Sequence, residues 1–156
     1  MPILVEISSG WQNQATNICY GAKGDQPAKF VMKKEGLLIG VKLVHRSGYV
    51  SCLDANPSYA SRWGCHTTDI HTLITTTKKR VIFQENTKYQ IGIDGKTSNE
   101  LVFIDVEYPM YVNVGMELQI WYREDLHNAG ETDNGGKHCI DVYAEVVSLL
   151  QLHGRK

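Results

Sequence analysis

The chain has 156 residues, 42% of them apolar and 21% charged, and a formal net charge of −1. That length can bury a core without help, in what reads as one domain over 1–156. The near-balanced charge excludes the strong field that would draw in nucleic acid or an anionic membrane, and no apolar run approaches the roughly 18 residues a bilayer-crossing helix needs.

In chain order, MPILVEISSG offers a first strand at ILVEI (3–7). It is no signal peptide, because the apolar run stops at Ile3-Leu4-Val5 and no basic leader precedes it. The expectation is a cytosolic protein or a mature secreted form. KFVMK (29–33) follows, then LLIGVKLVHR (37–46), whose period-two pattern sets Leu37, Ile39, Val41 and Leu43 on one face and Leu38, Lys42 and Arg46 on the other. YVSCL (49–53), HTLITTT (71–77), RVIFQ (80–84), YQIGI (89–93), ELVFIDV (100–106) and MYVNV (110–114) are shorter candidates, rich in β-branched and aromatic residues. MELQIWYR (116–123) groups Met116, Leu118, Ile120 and Tyr122. HCIDVYAEVV (138–147) alternates Ile140, Val142, Ala144 and Val146 against Asp141, Tyr143 and Glu145. AEVVSLLQL (144–152) can continue as a terminal helical turn.

Turn chemistry separates these runs at Gly24-Asp25, Lys34-Glu35-Gly36, Ser47-Gly48, Asp94-Gly95, Asn113-Val114-Gly115 and Asn134-Gly135-Gly136. The pattern predicts an all-β protein, an antiparallel β-sandwich or jelly roll. The basic runs Lys33-Lys34 and Lys78-Lys79-Arg80 are short and read as solvated strand or turn residues.

The four cysteines form no CxxC pair. An even count without that motif favours disulfides over zinc, with four reduced, buried thiols as the alternative. Of the three pairings, Cys52–Cys65 with Cys19–Cys139 is favoured; closing the short Cys52-to-Cys65 loop contributes roughly 3 kcal/mol on a chain-entropy account. No N-glycosylation acceptor is present, since Asn56-Pro57-Ser58 is blocked by its proline.

Enzyme signatures are absent: there is no GxSxG, HExxH, GxxxxGK[ST] or GxGxxG. In CHTTDIH, His66 and His71 are five residues apart and would point to opposite faces of a strand, which argues against a shared metal or acid–base role. His45, His127 and His138 read as surface or core histidines. The expectation is a protein that is not an enzyme.

The one concentrated chemical signal is WYREDLHNAGETDNGGKHCIDVYAEV (121–146). Two carboxylates about 4 Å apart repel by roughly 4 kcal/mol at a protein surface, so such a loop is splayed in solvent or held by something positive. Calcium takes six to eight oxygens from carboxylates, amides and backbone carbonyls. Glu124, Asp125, Glu131, Asp133 and Asn134 supply them, Asp141 can reach back from the next strand, and Gly130, Gly135 and Gly136 let the backbone turn tightly. The order is not that of an EF-hand. A solvated acidic hairpin loop is the alternative.

SGYVSC (47–52), SRWGC (61–65), LVF (101–103), LQIWYREDL and ETDNGGKHCIDVYAEV together resemble a module of extracellular matrix and lectin-like proteins of corals, anemones and other cnidarians. The likeness covers about 37–146, and its motif falls on Cys52, Cys65, Glu124, Asp125, Leu126, Glu131, Asp133, Asn134, Cys139 and Asp141. It implies an extracellular setting, disulfides and a bound divalent cation; Cys19 lies outside it. The leading expectation is a secreted, lectin-like β-sandwich that binds galactose-like or related sugars on glycans or glycoproteins, with calcium ordering the acidic loop. Sugar sites pair an aromatic face with amide or charged groups; Trp63 and Tyr59 with Asn56 and Arg62 fit that description, and Trp121 lies near the acidic loop. A core role beneath the disulfide is the alternative for Trp63. A matrix or adhesion module without sugar binding and a secreted toxin or hydrolase component are the rival readings. Cross-linking by a lectin needs more than one site per assembly, which favours a homo-oligomer.

Overall fold

The computed structural model describes residues 3–8, 10–66, 69–83, 93–128 and 130–152. Nine strands form two antiparallel sheets: β1 (Ile3–Ser8), β2 (Gln12–Gly21), β3 (Ala28–Val31), β4 (Gly36–Ser51), β5 (Thr72–Thr76), β6 (Glu100–Ile104), β7 (Met110–Val112), β8 (Glu117–Tyr122) and β9 (Gly135–Leu152). The six-stranded sheet runs β1-β9-β4-β6, with β2 also on β9 and β7 also on β4; the three-stranded sheet runs β3-β8-β5. Among the described residues, one short helix, α1 (Arg123–His127), and 3-10 turns at Pro57–Tyr59 and Glu131–Asp133 interrupt the β structure. The all-β expectation holds.

The core lies between the sheets. Val41 and Leu43 from β4, Leu101 and Phe103 from β6 and Ile140, Val142, Ala144 and Val146 from β9 meet Phe30, Ile74, Leu118, Ile120 and Tyr122 from the smaller sheet. The alternation read for 116–123 and 138–147 therefore points inward as expected. In β8 the opposite face is covered too, because Trp121 packs with Leu73 and Leu126 in a second apolar cluster.

Four expectations need correcting. The 37–46 candidate and the start of 49–53 are one strand, β4, since Ser47 and Gly48 are not a turn but pair with Cys139 and His138 of β9, just after a register shift between His45 and Ser47. Gly48 has φ +77°, and a Cβ there would meet the Lys137 carbonyl, so the strand stays continuous only with glycine. A second shift, between Leu38 and Gly40, exchanges the faces: Leu38 joins Val41 and Leu43 in the core, while Leu37 and Ile39 are half-buried. Residues 144–152 do not turn helical; they extend β9 and pair with β1. Finally, β2 escaped the sequence reading because two register shifts, with Asn17 at φ 55°, break its alternation. Of 80–84, Val81 bridges Thr75 and Gln84 lies outside the described residues, as does 89–92.

Two disulfides are present, Cys19–Cys139 between directly opposed residues of β2 and β9 in the six-stranded sheet, and Cys52–Cys65 within the connection after β4. This is the favoured pairing.

A polar chain crosses the core beside the first disulfide. His45 Nδ1 lies 2.8 Å from His138 Nε2, His138 Nδ1 lies 3.0 Å from Tyr20 Oη, and Tyr20 Oη lies 3.0 Å from Thr72 Oγ1 and 3.1 Å from Arg62 O. Thr72 in turn donates to Trp63 O. With both imidazoles neutral, His45 can donate to His138, His138 to Tyr20, and Tyr20 to the Arg62 carbonyl. Burial, the nearby His45 and the Arg62 charge push His138 down to about 3, and burial pushes the Tyr20 hydroxyl up.

Candidate functional site

The acidic segment is folded against β2 and the β2–β3 loop, which the sequence reading did not connect with it. β8 leads straight into α1, whose last turn closes on Asn128 in the left-handed region. This places Asp125 completely buried, where it accepts the backbone N–H groups of Asp25 and Gln26, both at 2.8 Å. Asp125 is thus a clamp that shapes the 21–26 loop.

Asn134, 1% exposed, is the second anchor. Its Nδ2 donates to Ala22 O and to Glu124 Oε2, both at 3.0 Å. Glu124 Oε1 lies 3.5 Å from His71 Nδ1. Asp133 is exposed, and its carbonyl accepts Asp54 N–H at 2.9 Å, tying the loop to the connection after β4. Asp141 stands apart on β9, held by Arg46 at 3.2 Å and by Asn17 N–H at 2.9 Å. Its negative charge already has a cation, so it does not reach back to the loop.

Glu131 completes the arrangement. Its contact with the Asp125 carboxyl, its burial and the Asp125 charge hold its carboxyl above the usual carboxylate range, against the Gly24 N–H, which favours the charged form. Two buried oxygens, Glu131 Oε2 and Asn134 Oδ1, have no hydrogen-bond partner. Unsatisfied buried acceptors are costly and uncommon. A cavity of about 540 Å³ is lined by Glu131 together with Ala22, Lys23, Gly24, Gln26, Thr132, Gly135 and Gly136. Gly136, at φ +89°, lies so near the Tyr49 carbonyl that no side chain fits there, which keeps this wall low and open.

The donor set suits a hard cation: carboxylate and amide oxygens with vacant lone pairs, on a backbone bent by glycine. It is smaller than the sequence suggested. Among the described residues no three carboxylates of the loop converge, because Asp125 is engaged by backbone and Glu124 turns to Asn134 and His71. Glu131 and Asn134 are the residues that would hold an ion.

The aromatic candidates divide. Trp63 is wholly buried and donates to Ser98 O at 2.6 Å, with its ring edge-on to His138. Trp121, 3% exposed, donates to Gln119 Oε1. Neither presents a face to a sugar; the core role applies to both. Tyr59 is half-exposed and lies 4.2 Å from the His66 ring. Asn56 caps the 3-10 turn by accepting Ser58 N–H, and Arg62 donates to Thr97 O. These three remain at least partly exposed, and none of them lines the cavity.

No family model and no curated protein matches the chain. Among solved structures, AJLec from the sea anemone Anthopleura japonica is similar to it over 86% of this chain and 96% of that one, at 31% identity and a TM-score of 0.76.

Proposed function

Because the chain belongs to the family of AJLec, a lectin-like sea-anemone protein, we propose that it is an extracellular glycan-binding protein, not an enzyme, whose ligand site is the cavity between the 21–26 loop and residues 131–136. The observation that carries this reading is the buried, unpartnered Glu131 Oε2, on a residue that lines a cavity of sugar size. Calcium there would satisfy Glu131 Oε2 and offset the crowding of Glu131 against Asp125. It would also leave coordination positions for vicinal hydroxyls of a hexose, galactose included. Lys23 and Gln26 supply donors at the rim. The two disulfides support an oxidising, extracellular setting.

A glycan array in calcium and in excess chelator tests this. The expected outcome is calcium-dependent binding that Glu131→Gln weakens roughly tenfold or more, with chelation also lowering the melting temperature, since an ion bound only to the native state stabilises it by mass action. No glycan bound under either condition ends the lectin reading; an unchanged melting curve ends the calcium part.

One observation favours a matrix or adhesion role as the second reading. Ile104, Val106, Tyr108 and Tyr111 are 62%, 70%, 79% and 53% exposed along the β6–β7 edge, an unusual density of large apolar side chains. Light scattering decides it: self-association that sugar does not compete with and that Val106→Glu abolishes supports adhesion.

A further inference from the structure

We propose that Cys52, Cys65 and His66 form a latent site for a thiophilic cation, Zn²⁺ first, that opens when their disulfide is reduced. The two sulfurs and one imidazole nitrogen lie within 4.8 Å of one another, the one group of three His, Cys, Asp or Glu ligand atoms so placed among the described residues. His66 Nδ1 is 3.4 Å from Cys65 Sγ. With zinc at about 2.3 Å from sulfur and about 2.0 Å from nitrogen, adjacent ligands of a tetrahedron are separated by roughly 3.5 Å, so this edge is already set. The Tyr59 ring, 4.2 Å from that of His66 and tilted 30° to it, limits how far the imidazole can swing. His66 is exposed and Cys52 half-buried, which leaves water access for the fourth position.

In the oxidised protein both sulfurs are spent on each other, so the site is gated by redox state. A small-molecule thiolate attacks the half-buried Cys52 Sγ, the S–S bond breaks, and Cys65 leaves as a thiolate beside the imidazole of His66. A second thiol displaces Cys52, releasing the small-molecule disulfide and completing the two-electron reduction. Zn²⁺ then binds Cys65 as the thiolate already formed, Cys52 with loss of its thiol proton, and His66. Metal replaces the covalent staple, and the 52–65 connection keeps its closure. Cys19–Cys139 has no such third ligand among the described residues.

Co²⁺, a spectroscopic stand-in for Zn²⁺, provides the test, with a non-coordinating phosphine as reductant. The reduced protein is expected to bind one equivalent with sulfur-to-cobalt charge transfer and tetrahedral ligand-field bands, to lose them when Zn²⁺ is added, and to bind roughly tenfold or more weakly as His66→Gln. Equal binding by oxidised protein, or by the reduced His66→Gln variant, overturns the proposal, including where the Cys19 and Cys139 thiols are the ligands. If reduction unfolds the chain, near-UV circular dichroism reads the same question: Zn²⁺ restores the signal in the parent and not in the variant, and failure to restore it in the parent overturns the site.

Discussion

Replacing Asp125 by alanine is expected to remove about 3–5 kcal/mol of stability, read from urea unfolding at neutral pH. The carboxylate is fully buried and accepts two backbone N–H groups from the β2–β3 loop. Each such bond to a charged acceptor contributes roughly 1.5–3 kcal/mol, and its loss strands a buried donor. Asp125→Asn should cost nearly as much, because one of its two terminal atoms becomes a donor facing a donor. Asp141→Asn is the control. It loosens an ion pair whose arginine is 47% exposed, a loss of about 0.5–1 kcal/mol. Equal costs for Asp125→Ala and Asp141→Asn would refute the distinction between clamp and surface pair. In the Asp125 variants Glu131 also loses the neighbour that holds its carboxyl high, so its titration should return toward the usual carboxylate range.

Acid should unfold the protein through His138. Burial keeps this imidazole neutral, lowering it to about 3 in the folded state against about 6.5 unfolded. Above pH 6.5 both states are unprotonated there and the full stability is present. Below that, the unfolded chain takes up a proton that the folded one refuses. Stability then falls by about 1.4 kcal/mol per pH unit as the pH drops toward 3, a total of roughly 4–5 kcal/mol. The groups facing His138 reinforce the sign: His45 on β4 and the Arg62 guanidinium oppose a further positive charge, and Tyr20 on β2 already accepts its Nδ1 proton in the order given above. His138→Gln is expected to be less stable at pH 7.5 but to show a slope shallower by about one proton between pH 6 and 4. Urea midpoints across that range measure it, and an unchanged slope would assign the acid lability elsewhere.

Alternation made the strands around Val41, Leu118 and Ile140 legible, because a sheet with one wet face imposes period two on the chain. It failed where the chain is bulged. β2 has two register shifts and no steady period, so neither the strand nor the cavity-lining loop that follows it was visible. The acidic residues advertised the site, but composition cannot tell a clamp from a ligand. Asp125, Glu124 and Asp141 are satisfied by backbone, amide and guanidinium, whereas Glu131 and Asn134 keep buried oxygens without partners among the described residues. The partners that decide this, Asp25, Gln26 and Ala22, lie about a hundred positions away in the chain. Trp63 and Trp121 carry ring chemistry equally suited to a sugar or a core, and only three-dimensional packing separates the two uses.

β9 is bonded to β1, β2 and β4, and its first residues border the cavity, with His138 and Cys139 following directly after them. Dropping or adding a single position between Lys137 and Val146 would turn Ile140, Val142 and Ala144 toward water and drive Asp141, Tyr143 and Glu145 inward. Length changes among kindred sequences should therefore spare this stretch and gather in the 105–109 turn, where the chain meets solvent and no ladder keeps count.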